Sequence, residues 1–383
     1  MRVLILSCST GEGHNSAARA LLDTLRGMGE TAEMLDFPSL KSEKTGRRVA
    51  NGYILPAKYT PHLFGAVYHL ALLLSSSRVK MPVYFANMGM AKYLEAYLRF
   101  HPADIIVMPH LYPAETVTYI KRRLRRAGKE DTFPRTLAVA TDYTCIPFFE
   151  ETECDACVIA DEGLFNEYVR RGMPGDKLFP LGIPVSPRFL ELPGKMAARR
   201  ALRLDENKTT VLVMGGSMGF GGLQVFVFAL YKLVGANTQI VVLCGSNKKL
   251  KAILDREFSR VQTVRAVGYT KDVPLYMAAG DILYTKPGGL STTEAAVAGI
   301  PMVLTAPIPG CETRNAAFFS RRGMAFSEKK LTAQLRIGQE LVQSGAMREE
   351  MIENQRKCAH KGAAEDICML MKKMCGENQK TAD

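Results

Sequence analysis

Three glycine-containing turns carry the residues whose types and spacing could do chemistry. The first is Lys286-Pro287-Gly288-Gly289-Leu290-Ser291-Thr292-Thr293-Glu294, which follows the apolar run Ile282 to Thr285 and opens a helix ending near Gly299. Glycines at a strand-to-helix turn let backbone amides approach a ligand, and a helix N-terminus adds unpaired N–H groups and partial positive charge. Glu294, about one turn into that helix, could accept hydrogen bonds from ligand hydroxyls. The same residues suit an ordinary turn, with glycines for packing and Glu294 favouring the helix dipole. A second glycine-rich turn, Gly215 to Gly222, follows the apolar run Val211 to Met214. The third, Gly11-Glu12-Gly13-His14, follows Val3 to Ser7 and precedes a helical pattern from Ser16 to Met28. At the start of a helix the local field opposes a positive charge, which favours neutral imidazole, the form of His14 that can take a proton. Capping or surface placement is the commoner role of a lone histidine. Gly11-x-Gly13-x-x-Ser16 is a degraded dinucleotide fingerprint with no acidic residue at the expected distance, a weak sign of NAD binding.

The elements that must position these turns repeat twice. Val3 to Ser7, a helix, and Thr31 to Asp36 form a βαβ opening, and Asp104 to Val107, Thr136 to Thr141 and Val158 to Ala160 read as further strands. Leu181-Gly182-Ile183-Pro184-Val185-Ser186-Pro187 reads as a linker. After it the pattern restarts with Val211 to Met214, Ile240 to Cys244, Thr263 to Val267, Ile282 to Thr285 and Pro301 to Thr305. The chain is helical from Leu331 to about Lys373, and the tail from Gly376 reads as disordered. At 383 residues the chain accommodates two domains with separate cores. The expected fold class is α/β, two Rossmann-like doubly wound domains facing a cleft. Their expected extents are 1–184, 185–350 and a final segment 351–383 that returns to the first domain.

Composition bounds the function. The nine cysteines are scattered, and Cys154-x-x-Cys157 has no second pair to complete a zinc site. A strand starting almost at Met1 leaves no room for a signal peptide, so a reducing cytoplasmic setting is expected. No run reaches the ~20 apolar residues that span a bilayer. A formal charge of +12 favours association with a polyanion, nucleic acid or an anionic membrane surface. Between Lys41 and Arg99, basic residues (Arg47, Arg48, Lys58, Arg78, Lys80) alternate with apolar ones such as Phe64, a mixture suited to an anionic bilayer and equally to helices with a solvated basic face. The dense run Lys121 to Lys129 adds cationic charge, although such runs are usually solvated faces. No nucleic-acid-binding signature accompanies it. Absence of Asp-x-Asp and of a P-loop motif argues against a metal-held sugar nucleotide and against a P-loop nucleotidase.

Taken together in chain order, Thr10-Gly11-Glu12-Gly13-His14, Ala140-Thr141-Asp142, Leu181 to Val185, Met214-Gly215-Gly216-Ser217, Lys286-Pro287-Gly288-Gly289, Thr293-Glu294-Ala295 and Pro309-Gly310-Cys311-Glu312-Thr313-Arg314-Asn315 resemble glycosyltransferase family 28. The resemblance is specifically to the monogalactosyldiacylglycerol synthases and processive diacylglycerol glucosyltransferases. It implies a GT-B fold and an inverting, metal-independent transfer of a hexose from a UDP-sugar to diacylglycerol, by a protein peripheral on the inner face of the cell membrane. No cofactor is implied beyond the UDP-sugar donor, and no nucleic-acid partner. Carried over by position, Gly216, Ser217 and the Gly288-Gly289 turn would hold the diphosphate, and Glu294 the ribose. Gly268 and Tyr269 would meet the uracil, and Glu312 and Asn315 would line the sugar pocket. His14 would be the general base with Asp142 as helper or rival, and Gly11 and Gly13 would form the acceptor-side loop. Two positions depart from the family pattern. Cys311 stands where Gln is common, and Thr144 to Phe149 replaces a His and Trp found after Asp142 in many diacylglycerol enzymes. GlcNAc transfer to a polyprenyl acceptor, a UDP-sugar epimerase and a non-catalytic nucleotide-sugar sensor are the alternatives.

Overall fold

The computed structural model describes residues 1–9, 11–75, 82–215, 222–305 and 307–376, with the backbone path alone at 50, 53–59, 61–62, 82–83 and 86. The chain forms two compact units. The first is Met1–Pro187 with Pro309–Cys311 and His360–Asp383, and the second is Arg188–Ile308 with Glu312–Ala359.

The first unit begins β1 (Arg2–Ser7), α1 (Glu12–Gly27), β2 (Thr31–Asp36), followed by four helices: α2 (Glu43–Tyr59), α3 (Pro61–Leu74), α4 (Pro82–Met88) and α5 (Ala91–Phe100). It continues through β3 (Ile105–Met108), α6 (Leu111–Arg126), β4 (Arg135–Val139), β5 (Ala156–Val158), α7 (Phe165–Arg170) and β6 (Leu178–Phe179). All six strands are parallel, in the order β2-β1-β3-β4-β5-β6, with Val3 opposite both Ala32 and Ile105. A parallel sheet is covered on both faces, so its strands are apolar throughout rather than alternating. Val3, Ile5, Ile105 and Val107 pack with Leu21 and Leu25 of α1. Leu4, Leu6, Ile106 and Met108, the intervening residues, are as deeply buried and by strand alternation face the other side.

The second unit comprises α8 (Lys195–Ala201), β7 (Thr209–Met214), α9 (Leu223–Leu233), β8 (Thr238–Leu243), α10 (Lys248–Glu257), β9 (Val264–Val267), α11 (Val273–Ala279), β10 (Ile282–Thr285) and α12 (Gly289–Ala298). It ends with β11 (Met302–Leu304), α13 (Cys311–Arg321), β12 (Phe326–Ser327), α14 (Leu331–Gln343) and α15 (Gly345–Cys358). The strand order is β12-β11-β10-β7-β8-β9, again parallel. Val211, Val213, Ile240, Val242, Ile282 and Tyr284 form its core with Val227 and Leu230 of α9.

The last helix, α16 (Ala363–Gly376), belongs to the first unit. Ile367, Cys368 and Met371 enter that unit's core, and Lys372 pairs with Glu30 at 2.9 Å. The segment Leu181 to Pro187 differs from its reading as a linker. Gly182, Ile183, Pro184 and Val185 are buried. Gly182 has φ +89°, and a Cβ there would lie 3.1 Å from His360 and 3.2 Å from Ala363. The segment is packed because its apolar residues are covered by the start of α16, and glycine permits both the close approach and the left-handed backbone.

Candidate active site

In each unit the strand order reverses once, between β1 and β3 in the first and between β7 and β10 in the second. Ligands of open α/β sheets bind outside the carboxyl ends of the strands at such a reversal. His14 follows β1, Pro109 and His110 follow β3, and Thr141 and Asp142 follow β4, so the first unit gathers them at one sheet edge.

The helix α1 begins at Glu12, four residues before the apolar pattern from Ser16, so Gly13 joins its first turn and His14 lies at the helix start, as expected. Gly11 is its N-cap residue. An acidic residue in the first turn suits the helix dipole, and Glu12 also meets Arg19 two turns further on at 2.6 Å. Ser7 Oγ donates to Asn15 Oδ1 at 2.7 Å, tying the end of β1 to the residue beside His14.

His14 Nδ1 lies 2.8 Å from the carbonyl oxygen of Pro109 and 2.9 Å from Thr141 Oγ1. A carbonyl can only accept, so this network assigns the proton of neutral His14 to Nδ1 and leaves the Nε2 lone pair as the base. Burial pushes His14 below its ordinary 6.5, while the charge of Asp142 and the Pro109 carbonyl pull it back up. The neutral form therefore dominates near neutral pH. The His110 ring stands edge-on to His14, with centroids 4.5 Å apart. Burial, and then His14 itself, push His110 well below 6.5. These side chains line a narrow cavity of about 10 Å³ with Thr144, Ile146 and Tyr168, room for one hydroxyl-sized group. The loop after Asp142 is fixed by Glu167, which accepts from Thr144 Oγ1 at 2.7 Å and from the Cys145 amide at 3.0 Å. Pro109 and His110 are not among the site residues expected from the sequence, where the cue is a histidine soon after the buried strand Ile105–Met108; Thr141 lies within the quoted motif Ala140-Thr141-Asp142.

In the second unit the turn between β10 and α12 carries the predicted anion-binding residues. Gly288 is the N-cap of α12 and Gly289 its first residue. Thr293 Oγ1 donates to the Gly289 carbonyl at 2.6 Å, so the first turn is internally braced. Glu294 is half-buried and lies about one and a half turns into α12. Glu312, buried in the first turn of α13, accepts from Lys286 Nζ at 2.6 Å and from the Ile308 amide at 2.8 Å. Asn315, fully buried one turn later, donates to the Pro287 carbonyl at 3.1 Å. Lys286, Glu312 and Asn315 are thereby brought onto the Pro287-Gly288 turn. Gly268 follows β9 beside the Lys251 stem, and Tyr269 next to it is 63% exposed. Gly216 and Ser217 lie outside the described residues. Among the described residues, no cluster of His, Cys, Asp and Glu has the geometry to hold a metal ion.

The residues expected to meet a membrane divide. Arg47 and Arg48 on α2 are exposed, with Arg47 only 3.3 Å from Glu43. The side chain of Lys58 and residues Arg78 and Lys80 lie outside the described residues. Phe64 is half-buried and does not belong to the exposed face of α3. That face is instead apolar: Leu63, Val67, Leu70 and Leu74 are exposed at spacings of four, three and four and so form one stripe. The cationic run on α6 is largely paired. Lys121 is buried against Asp155 at 2.5 Å, Arg122 meets Glu153 at 2.6 Å, and Arg125 meets Glu130 at 2.7 Å. Acidic partners from other elements neutralise much of the run, so it is not a basic surface patch.

Two α/β units, each with a parallel six-stranded sheet and a polar turn at the point of strand reversal, define the GT-B class of fold. Residues 14–185 match the family model for monogalactosyldiacylglycerol (MGDG) synthase, and residues 210–365 match that of the glycosyltransferase family 28 C-terminal domain. Between them the two family models span most of the chain, which is a UDP-sugar-dependent glycosyltransferase with the C-terminal domain of glycosyltransferase family 28. Processive diacylglycerol beta-glucosyltransferase of Bacillus pumilus is 27% identical over 368 residues, which cover 96% of this chain and 93% of that protein. Among solved structures, MurG of Acinetobacter baumannii superposes with a TM-score of 0.63 at 15% identity, covering 97% of this chain and 99% of that one. UDP-GlcNAc 2-epimerase of Neisseria meningitidis superposes at 0.60 with 13% identity, covering 97% and 100%. Fold similarity of this kind is shared by transferases and epimerases, so the family match and the site chemistry decide between them.

Proposed function

We propose that this protein transfers a hexose from a UDP-sugar to a hydroxyl of diacylglycerol or a closely related lipid, with inversion at the anomeric carbon. The observation that carries the reading is His14, held through Nδ1 by the Pro109 carbonyl so that Nε2 is the basic nitrogen. The acceptor hydroxyl gives its proton to Nε2 as its oxygen attacks the anomeric carbon from the face opposite the diphosphate. The bond to UDP breaks, and UDP leaves with the electron pair. Positive charge for the leaving diphosphate comes from the N-terminus of α12, glycine amides and Lys286, a set that can serve without a metal ion. Glu294 and Glu312 are the carboxylates suited to ribose and sugar hydroxyls.

The lipid acceptor is supported by the 27% identical relative named as a diacylglycerol glucosyltransferase, by the exposed apolar stripe of α3 and by exposed Lys44, Arg47 and Arg48 on the preceding helix α2. Exposed apolar side chains together with exposed cations suit the interface of an anionic bilayer. No described helix is long and apolar enough to cross a membrane, so attachment from the cytoplasmic side would be peripheral.

The test is a product assay on liposomes of diacylglycerol and anionic lipid, with UDP-glucose, UDP-galactose and UDP-GlcNAc offered in parallel. A glycolipid formed from one donor is the expected result and names the sugar. UDP release without glycolipid assigns a different acceptor. No turnover with any donor, from protein shown to bind UDP, overturns the reading in favour of an epimerase or sensor.

A further inference from the structure

We infer that His110 is a positioning residue for His14: it anchors the peptide whose carbonyl fixes the His14 tautomer, and its ring closes one side of the His14 imidazole. The inference rests on the reading of His14 as general base.

The carbonyl that accepts from His14 Nδ1 belongs to Pro109, and its carbon is bonded to the backbone nitrogen of His110. These atoms form one planar peptide group, so whatever fixes His110 aims that carbonyl. His110 is the N-cap of α6, with extended backbone at φ −145° and ψ 145°, and its Nδ1 accepts from the Tyr112 amide at 3.1 Å. This cap satisfies one of the unpaired donors of the helix and locks the turn between β3 and α6. Because Nδ1 accepts, neutral His110 carries its proton on Nε2. The ring is packed between His14 at 4.5 Å and Tyr112 at 4.7 Å. An exposed histidine could cap as well. Burial of this one against the base is what a cap alone does not require.

The titratable groups lining the cavity with His14 are His110 from the β3–α6 turn, Asp142 from the turn after β4, and Tyr168 from α7. Asp142 attracts a proton onto His14. Tyr168 is held well above its ordinary 10 by burial and stays neutral. The His110 ring covers one side of the His14 imidazole, adding to the burial that keeps His14 neutral and basic.

The test separates cap from ring. His110→Asn keeps a good cap without the ring, His110→Phe keeps a ring without the cap, and His110→Ala keeps neither. The readout is NMR of the full chain carrying 15N-labelled histidine, with His14 identified by its loss in His14→Ala. Wild type is expected to show neutral His14 as the Nδ1–H form, titrating below 6.5. Asn should retain that tautomer with a midpoint moved upward, and Phe should show mixed tautomers with a midpoint near wild type. Ala should show both changes, with kcat reduced about tenfold or more and donor KM unchanged. If His110→Ala does not fold, Asn and Phe decide by the same split. Unchanged His14 tautomer and midpoint in the folded variants overturn the inference. Failure of the functional reading is distinct: it appears as full turnover by His14→Ala, with the dependence of His14 on His110 still seen by NMR.

Discussion

Replacing His14 by alanine should remove the proposed base while leaving the proposed donor-binding residues of the second unit intact. Loss of a general base typically costs about 100- to 10,000-fold in kcat, roughly 3–5 kcal/mol of barrier. Asp142 remains at the same strand edge as a weaker base, so the variant should fall toward the lower end. His14→Ala with Asp142→Asn should fall further. The assay is glycolipid formation at saturating donor, with UDP affinity measured separately and expected to be unchanged. The pH profile adds a second constraint. Protonation of His14 removes the base, and burial holds its folded pKa below 6.5, so the acid limb of the wild-type rate should lie below pH 6.5. Asp142→Asn deletes the attraction for the imidazolium and should move that limb lower still. Folding stability must be followed in the same range. His14 and His110 both bind protons less tightly folded than unfolded, so the unfolded state holds more protons as pH drops. Stability therefore falls as pH passes below 6.5 and levels off once the folded pKa values are passed. Each tenfold loss of proton affinity on folding is worth about 1.4 kcal/mol there. Melts at each pH separate this loss from the titration of the base. Retention of kcat within about fivefold by His14→Ala, against the losses expected of a general base, would refute the assignment, as would an acid limb centred above pH 6.5.

Two further outcomes test other parts of the structure. Lys121→Met should destabilise the first unit by about 3 kcal/mol, the lower end of the cost of orphaning a buried ion pair, because Asp155 keeps Thr136 as a partner. Urea denaturation measures this, and a loss under about 1 kcal/mol, the range of surface pairs, would show that Lys121 is not the buried partner described. Val67→Glu with Leu70→Glu on α3 should weaken binding to anionic liposomes while leaving the melting temperature unchanged, because both side chains are more than half exposed. Unaltered liposome binding would remove that stripe from the membrane-facing surface.

Several local features were legible before any fold was seen. The strand Thr31 to Asp36 has the bounds read from its sequence, and the apolar run Ile282 to Thr285 leads into the Gly288-Gly289 turn as expected. Both are properties of short windows, in which strand patterning and glycine report backbone conformation directly. The apolar pattern of α1 begins only at Ser16, because Glu12, Gly13 and His14 carry no apolar face; the structure keeps His14 at the helix start and adds Glu12 and Gly13 ahead of it.

Charge was the least legible property. The run from Lys121 to Lys129 is basic in sequence, but whether it faces solvent depends on Glu153 and Asp155, which β5 and its preceding turn bring alongside α6. Phe64 and Leu63 are neighbours of similar hydrophobicity, and only the packing of α3 decides which is covered.

The sequence by itself determined the two α/β units, their glycine turns and His14 as a candidate base. These follow from local periodicity and residue chemistry. The tertiary structure alone decided that His14 is oriented by Pro109, 95 residues away, and packed against His110, and that Lys286 reaches Glu312. Parallel strands end at a common sheet edge, so turns remote in sequence meet there, and no local pattern encodes which atoms come within hydrogen-bonding distance.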